Sequence, residues 1–577
     1  MVNNLTFTYN NTNQAQLNML IKPTVFDTNL RTFCLLVIVL NLPFISPAQG
    51  WQWANAINGP SQEDEIDAVA SDQQANVYIS GKFEDSLDIQ GYSGTLTSVG
   101  MADIMLIKYD ENGHFLWQKH WGGIGEDNVF DAVCDADNNL IISGYFQDTL
   151  QLDNHTLIAE GGFDAFIAKL NSNGDIIWAK RFGGTADDGA NEVSVAANRQ
   201  IIVCADSDGD FTCDGISFSN TGDRDAYILS IQPSGTTDWI RAVQGAGNAR
   251  SKAVAVDNGG NVFFGGDFFG PKAVVDEYSV PHPFTEYGNR DAFLSCWTAT
   301  GAFKWVRSWG GTGNDLCKGV AVNALGEVYV LGPFENTIYL ENAQLTSAGQ
   351  TDFFLWKLDS TGIPQWLRHI SSSVNVLEGG EIETDGHNGV VFGMGMLDTL
   401  LLESSNGFSI YTPPTTGAYP LFIQYNTAGE VVYTLMASAS VFSTFGEISR
   451  SNNKVLLDVI YRGLFIAGND TLITDSVTNK DAGIVCIQLP DQPNAIAPIL
   501  QETNILLYPN PVENQLHIVL EEHPDKLQTL WQLTTVNGKI IQQVQLSSLH
   551  NTLNVSSLKK GTYILSNGTT ILRFVKK

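Results

Sequence analysis

The sequence predicts an all-β protein, a seven-bladed β-propeller followed by a small C-terminal β-sandwich. Glycine is abundant, at 54 of 577 residues, while charged residues make up only 16% and aromatics reach 10%. That composition suits many short strands joined by tight turns better than long charged helices. One passage, DAFIAKLNSNGDIIWAKRFGG at 164–184, returns in altered form down most of the chain. The aromatic that closes each copy falls at Trp53, Trp117, Trp178, Trp239, Trp305, Trp366 and Tyr433, between 61 and 67 residues apart. Such a period is too long for a solenoid coil and right for a four-stranded blade with a generous loop.

The first element is an address. Arg31 precedes the apolar run CLLVIVLNLPFI (34–45), and Ser46-Pro47-Ala48 follows ahead of Gln49, the pattern of a signal peptide with a small-residue cleavage site. Residues 1–48 are therefore the signal region. Residues 1–18 are polar and unlike a signal start, so Met19 is a candidate initiator. No other stretch approaches the ~20 apolar residues of a membrane helix, so no transmembrane span is expected in the mature chain.

Residues 49–491 hold the repeat units. Each contains a hairpin of the type IDAVASDQQANVYISG (66–81), VFDAVCDADNNLIISG (129–144), SKAVAVDNGGNVFFGG (251–266) or CKGVAVNALGEVYVLG (317–332), with looser forms at 190–205, 379–394 and 445–460. An apolar strand, an Asp/Asn/Gly turn and a second apolar strand make up this pattern. A second hairpin follows, as in FDAFIAKLNSNGDIIW, with Gly113, Gly174, Gly235, Gly301, Gly362 and Gly429 at the turn position that tolerates positive φ. Alternation places Phe166 and Ala168 on one face and Ala165, Ile167 and Lys169 on the other, and both faces of a blade pack on neighbours. The last unit stops at KDAGIVCIQLPD (480–491) without its fourth strand, whereas GWQWANAING (50–59) has the Trp and lacks the three strands before it. The N-terminal strand is therefore expected to complete the seventh blade and close the ring, which removes exposed edges. The pattern xDAFxxKLxxxGxxxWxxxxGG with AVAVDxxGNVYVxG resembles the SBBP-type β-propeller repeat of exported bacterial proteins, over roughly 50–491.

Residues 492–503, polar-ended and carrying two prolines, read as a linker. Residues 504–577 alternate apolar and polar positions, with turns at Asn537-Gly538, Lys560-Gly561 and Asn567-Gly568, a small β-sandwich pattern. Tyr508-Pro509-Asn510-Pro511, Asn537-Gly538-Lys539, Leu558, Gly561-Thr562-Tyr563 and Phe574-Val575-Lys576-Lys577 together resemble the C-terminal sorting domain (type A) of the type IX secretion pathway of Bacteroidota. The resemblance implies that Pro509, Asn510, Pro511, Gly538, Gly561, Tyr563, Lys576 and Lys577 carry a sorting signal. It also implies type IX secretion machinery as partner, and passage through the periplasm to the outer-membrane surface or release from the cell.

The formal charge of −31 lies in the body, since from Asn504 onward seven Lys/Arg face four Asp/Glu. An acidic surface repels phosphate backbones and anionic lipid, which argues against nucleic acid as a partner. None of the nine histidines forms HExxH, and no GxSxG elbow or phosphate loop stands in a usable context; WGGIG and WGGTG are post-strand turns. The seven cysteines show no CxxC pair; Cys296 and Cys486 take the place of Lys169 and read as strand residues, and a Cys204–Cys213 bridge is conceivable without being expected. Asp103, Asp164, Asp225, Asp291, Asp352 and Asp481 each precede a strand, where a carboxylate accepts local backbone N–H bonds and fixes a blade corner. A residue repeated in this way is not a unique active site.

Asp206-Ser207-Asp208-Gly209-Asp210, with Asp214 nearby, is irregular. Carboxylates at alternate positions around a Gly suit calcium, although the closing Glu of the twelve-residue loop is absent, and a solvated loop is the competing reading. Apart from that calcium candidate at Asp206, Asp208 and Asp210, no cofactor is required. The triplets at 85, 148, 398, 470 and 475 (DSL, DTL, DSV) resemble the O-glycosylation motif of Bacteroidota and equally suit a turn entering a strand.

The reading that follows is a secreted or cell-surface, non-enzymatic propeller that binds an extracellular ligand, a polysaccharide or an envelope protein. The irregular loops at 268–291 and 404–420 are its binding candidates, with drift in a repeat array as the plain alternative. A polysaccharide lyase or hydrolase is the rival, which needs two carboxylates about 5–10 Å apart. A structural spacer is a third reading.

Overall fold

Each repeat unit folds as an antiparallel meander, because the second strand of its first hairpin pairs with the first strand of its second, as Val77–Phe83 does with Asp103–Tyr109. The computed structural model describes residues 50–490, except 61–63, 375, 377–378, 380, 406, 414–417, 440–441, 469 and 474–480. In the tail it describes 505–508, 514–520, 530–535, 540–545, 550–566 and 571–576. The signal region, the linker, Pro509, Asn510, Pro511, Gly538 and Lys577 lie outside the described residues.

The first meander runs Glu65–Ser71, Val77–Phe83, Asp103–Tyr109, Phe115–Trp121. Equivalent meanders have inner strands Asp127–Cys134, Asp188–Val195, Asn248–Val256, Gly319–Val322 and Ile382–Thr384. The last consists of Phe442–Ser451, Lys454–Arg462 and Asp481–Gln488, and takes Trp51–Asn58 as its fourth strand, with Trp53 opposite Cys486 and Ile57 opposite Ala482. Each inner strand packs against the inner strand of the next meander, and the last packs against the first, a propeller-like arrangement. The described residues contain no helix, so none is long and apolar enough to cross a membrane.

Two devices join neighbouring meanders. The fourth-strand aromatic lies on the turn glycine of the next unit: a Cβ at Gly301, where φ is +74°, would come within 2.7 Å of Trp239, and one at Gly113 within 2.6 Å of Trp53. The indole N–H of Trp239 then donates to Ala299 O at 3.1 Å, and that of Trp366 to Thr427 O at 2.9 Å. Glycine is needed twice here, for its left-handed φ and for the flat face it offers the indole. The second device is a strap. The hairpin between the second and third strands of one unit crosses over to pair with the outer strand of the unit before. Examples are Ala273–Val275 on Thr237–Gln244, Leu400–Ser404 on Pro364–Ser372, and Ser86–Ile89 on Trp51–Asn58. Straps cover sheet edges that would otherwise template association.

The meander faces pack as the alternation predicts: Phe166, Ala168 and Leu170 join one apolar cluster, Ala165 and Ile167 the next. In the tail, the sheet containing Gln515–Leu520 and the sheet containing Leu530–Thr535 share a core of Leu516, Ile518, Trp531, Leu533, Leu553 and Leu565. Tyr563 is buried there and donates from Oη to Lys559 O at 2.7 Å; Gly561 has φ +154°, and Lys576 is buried. The six cysteines among the described residues are all unpaired, Cys204 and Cys213 included.

Candidate functional site

One column of the first hairpin departs from the repeat. Its residues are Ala68, Asp131, Glu192, Ala253, Gly319, Glu381 and Glu447, all at the inner strand. A register shift stands beside this position in five of the units, as between Val129 and Asp131 or Ala190 and Glu192. Such bulges re-aim a side chain next to a site. Three units keep the column small, and four spend a carboxyl on it.

These four groups interact. Glu447 hydrogen-bonds Glu381, and the field of Glu381 reaches both Asp131 and Glu192. Asp131, 8% exposed, accepts Val193 N–H at 2.7 Å on Oδ2, and Glu192 accepts Val254 N–H at 2.7 Å, the same reach one unit further round. Burial pushes all four carboxyls above their ordinary pKa values, and the like charges push Asp131, Glu192 and Glu447 higher still. At Glu381 the bond with Glu447 and the charge of Lys318 offset part of that rise. A buried carboxyl pair of this kind can bind a cation, receive a ligand hydroxyl, or transfer a proton.

At the C-terminal ends of inner strands from the first, second and last meanders lies a cavity of about 310 Å³, lined by Ser71, Asp72, Gln73, Asp135, Arg450 and Asn452 among others. Buried ion pairs Lys108–Asp72 (3.4 Å) and Lys169–Asp135 (2.8 Å) hold its rim. The lining is mostly polar and suits a hydroxyl-rich ligand.

The residues singled out in the sequence fall elsewhere. Asp206 and Asp208 both pair with Arg224, Asp206 also takes a bond from Asn191, and Asp210 accepts Asn220 N–H at 2.9 Å. Asp214 pairs with Lys180. Among the described residues no group of three or more His, Cys, Asp or Glu side chains is arranged to hold a metal ion. The recurring aspartates do sit at corners: Asp103 accepts Val99 N–H, Asp291 accepts Tyr287 N–H, and Asp352 accepts Ala348 N–H, all on Oδ2 at 2.7–3.0 Å. The loop at 268–291 contributes the strap hairpin and exposes Phe269, Tyr278 and Tyr287, and the described part of 404–420 likewise pairs as a strap. In the triplets, Asp85 and Asp148 take left-handed φ while Leu87, Leu150, Leu400 and Leu472 are buried, a turn entering a strand; the one at 475 lies outside the described residues. The axial carboxyls were missed because they hide inside the repeat. Reading the repeat by column, with Ala or Gly as the background, exposes them.

Residues 506–577 match the secretion system C-terminal sorting domain. The chain carries a type IX sorting tail. Such a tail marks a protein for the cell surface or for secretion, with the type IX machinery as its partner. The body is similar to an uncharacterized WD repeat-containing protein, L264, of Acanthamoeba polyphaga mimivirus, at 24% identity over 52% of this chain and 26% of that protein. It is also similar to the regulatory protein FlaEY of Caulobacter vibrioides, at 24% over 46% and 30%. The chain thus spans under a third of the length of either relative. Similar solved structures include PorZ, an essential surface component of the type IX secretion system of Porphyromonas gingivalis (11% identity, 89% of this chain and 81% of that one, TM-score 0.27). Another is quinohemoprotein alcohol dehydrogenase from Comamonas testosteroni (11%, 77% and 78%, TM-score 0.33). Similarity this low carries no functional inference.

Proposed function

We propose that the chain is a secreted or cell-surface seven-bladed β-propeller, closed by its N-terminal strand and delivered by a C-terminal β-sandwich. On this reading it binds an extracellular ligand of the polysaccharide or envelope-protein class. The sorting tail carries the export half of the reading. The binding half is supported by the polar cavity at the ends of three inner strands, where Gln73, Arg450 and Asn452 offer donors and acceptors to sugar hydroxyls. The buried Lys108–Asp72 and Lys169–Asp135 pairs fix the rim around them, which lowers the cost of ordering on binding.

A second reading, a polysaccharide lyase or hydrolase, is supported by the Glu381–Glu447 pair, two buried carboxyls that share a hydrogen bond and both hold protons more tightly than ordinary carboxyls. One experiment separates the two. The purified exported chain is incubated with insoluble polysaccharides and envelope extract, and both retained protein and released oligosaccharide are measured. Retention without products, weakened by Arg450→Ala, is the expected result. Product release abolished by Glu381→Gln overturns it in favour of the enzyme, and neither retention nor release sinks both.

A further inference from the structure

The junctions between successive meanders show a pattern of charge that the corner role of the aspartates does not explain. Six junctions carry the recurring aspartate, and four of them add a second at or just before the start of the next inner strand: Asp64, Asp127, Asp188 and Asp315. Ala249 and Val376 hold the second position in the other two, their N–H groups donating to Arg224 O and Thr351 O.

Where Ala249 stands, an internal cation fills in. Lys272 is buried there, with Nζ donating to Asp225 Oδ1 at 2.6 Å and to Arg224 O at 2.8 Å. At the junction with Val376 in the second position, His369 Nε2 lies 2.8 Å from Asp352 Oδ2. Where Asp164 meets Asp188, Arg181 pairs with Asp164.

At the junction of Asp481 with Asp64, Asp64 accepts Glu84 N–H at 3.0 Å, and the stretches 61–63 and 474–480 beside the two aspartates in sequence lie outside the described residues. Asp103–Asp127 and Asp291–Asp315 are fully described and differ from the other junctions. Among the described residues no cationic side chain bonds to any of the four; the exposed His120 acts on Asp103 only through space. Their outer oxygens are used: Asp103 Oδ2 accepts Val99 N–H at 3.0 Å, Asp127 Oδ2 accepts Gly123 N–H at 2.8 Å, and Asp291 Oδ2 accepts Tyr287 N–H at 2.7 Å. Oδ1 of Asp103, Asp127 and Asp291 is shielded from solvent without a hydrogen-bond partner. The N–H groups of Gly311 and Glu335 approach Asp315, yet neither of its oxygens completes a bond. All four residues are 0–2% exposed. Within each pair the first aspartate repels the second, and Glu286 and Glu335 add to the negative field around Asp291–Asp315.

The backbone beside them is the same as at the lysine. Arg224 O accepts Ala249 N–H at 2.9 Å and still receives Lys272; the equivalent carbonyls, Ala102 O and Arg290 O, accept Asp127 N–H at 2.9 Å and Asp315 N–H at 2.8 Å. The single carboxylate of Asp225 is thus matched by one internal cation, whereas Asp103–Asp127 and Asp291–Asp315, with two carboxylates each, have none. Buried like charges need a counter-charge or a proton, and two carboxylates with a carbonyl are hard oxygen ligands whose charge a divalent ion balances. We propose that the Asp103–Asp127 and Asp291–Asp315 junctions each bind one hard divalent cation of the calcium type, through the paired carboxylates and the carbonyl of the residue before the first.

This inference is independent of the axial site and its ligand. The full exported chain, dialysed against metal-free buffer, is titrated with calcium and followed by elemental analysis. Terbium emission sensitised by Trp309, which pairs with Ala292 beside Asp291, provides a second readout. Two equivalents of calcium are expected, with a melting temperature at least about 2 °C higher in calcium than in EDTA. Asp315→Asn and Asp127→Asn should each remove one equivalent and part of the terbium emission, because Trp121 pairs with Ile104 beside Asp103 as Trp309 pairs with Ala292 beside Asp291. Ala249→Asp combined with Lys272→Met should add a third equivalent, a gain that loss of folding cannot mimic. A chain that retains no calcium and melts identically in calcium and EDTA overturns the proposal, leaving each pair to share a proton. Two equivalents that survive both Asn substitutions overturn it as well.

Discussion

Gly301 shows how much of this molecule is decided one residue at a time. Its φ of +74° is in the left-handed region, and its missing Cβ is where the Trp239 ring lies. Gly301→Ala therefore meets two obstacles, backbone strain and an indole that must move, and the expected cost is about 1–3 kcal/mol, read from the midpoint of urea unfolding. Gly215, also at positive φ but with nothing within 4 Å of its Cβ, is the control: Gly215→Ala should cost less, because only the strain remains. The same turn glycine meets an indole at Gly113, Gly174, Gly235 and Gly362, so the repeated sentence of the sequence is a repeated inter-unit contact.

At the scale of elements, Trp51–Asn58 carries the most consequence. It is the only strand of its meander that comes from the other end of the described chain, and through Trp53 it reaches the turn at Gly113 in the first meander. Removing residues 50–59 should leave the edge of Asp481–Gln488 unpaired, and an unpaired edge recruits another strand. The expected outcome is self-association in size-exclusion chromatography, reversed by a synthetic peptide of residues 50–59. A truncated chain that stays monomeric without the peptide would show that the ring closes by other contacts. The straps belong to the same scale: the irregular hairpin after Phe269 serves the neighbouring outer strand, so its length varies without disturbing the meander that carries it.

For the whole molecule, the convergence of Asp131, Glu192, Glu381 and Glu447 sets a pH dependence. Each has a folded-state pKa raised above its ordinary value, chiefly by burial, so the folded chain binds protons more tightly than the unfolded chain. The stability this provides is complete below the ordinary carboxyl range and is lost as pH rises through the raised values. Wild-type protein in EDTA should therefore unfold at lower urea concentration at pH 8 than at pH 5. Glu447→Gln, which keeps the donor and cannot ionise, should flatten that slope and gain about 1–3 kcal/mol at pH 8 while changing little at pH 5. An unchanged slope would place these carboxyls in ordinary solvent.

Local chemistry made the strands, the turns and the tail legible without coordinates. Hairpin grammar, the glycine before each closing aromatic and the PNP-to-KK spacing of the last segment are all short-range signals, and each reports a local energy: a φ preference, an alternation of faces, a recognition motif. The calcium reading at Asp206, Asp208 and Asp210 was drawn from the same local evidence. Only in three dimensions does Arg224, 14–18 residues further on, pair with two of those carboxylates. The axial carboxyls and the aspartate pairs were illegible for a related reason. Asp131 and Glu381 are 250 positions apart in the sequence and meet only when the ring brings their columns together. Which carboxylates find a lysine, which find one another and which find solvent is settled by burial and by the geometry between units, and no window of the sequence contains either.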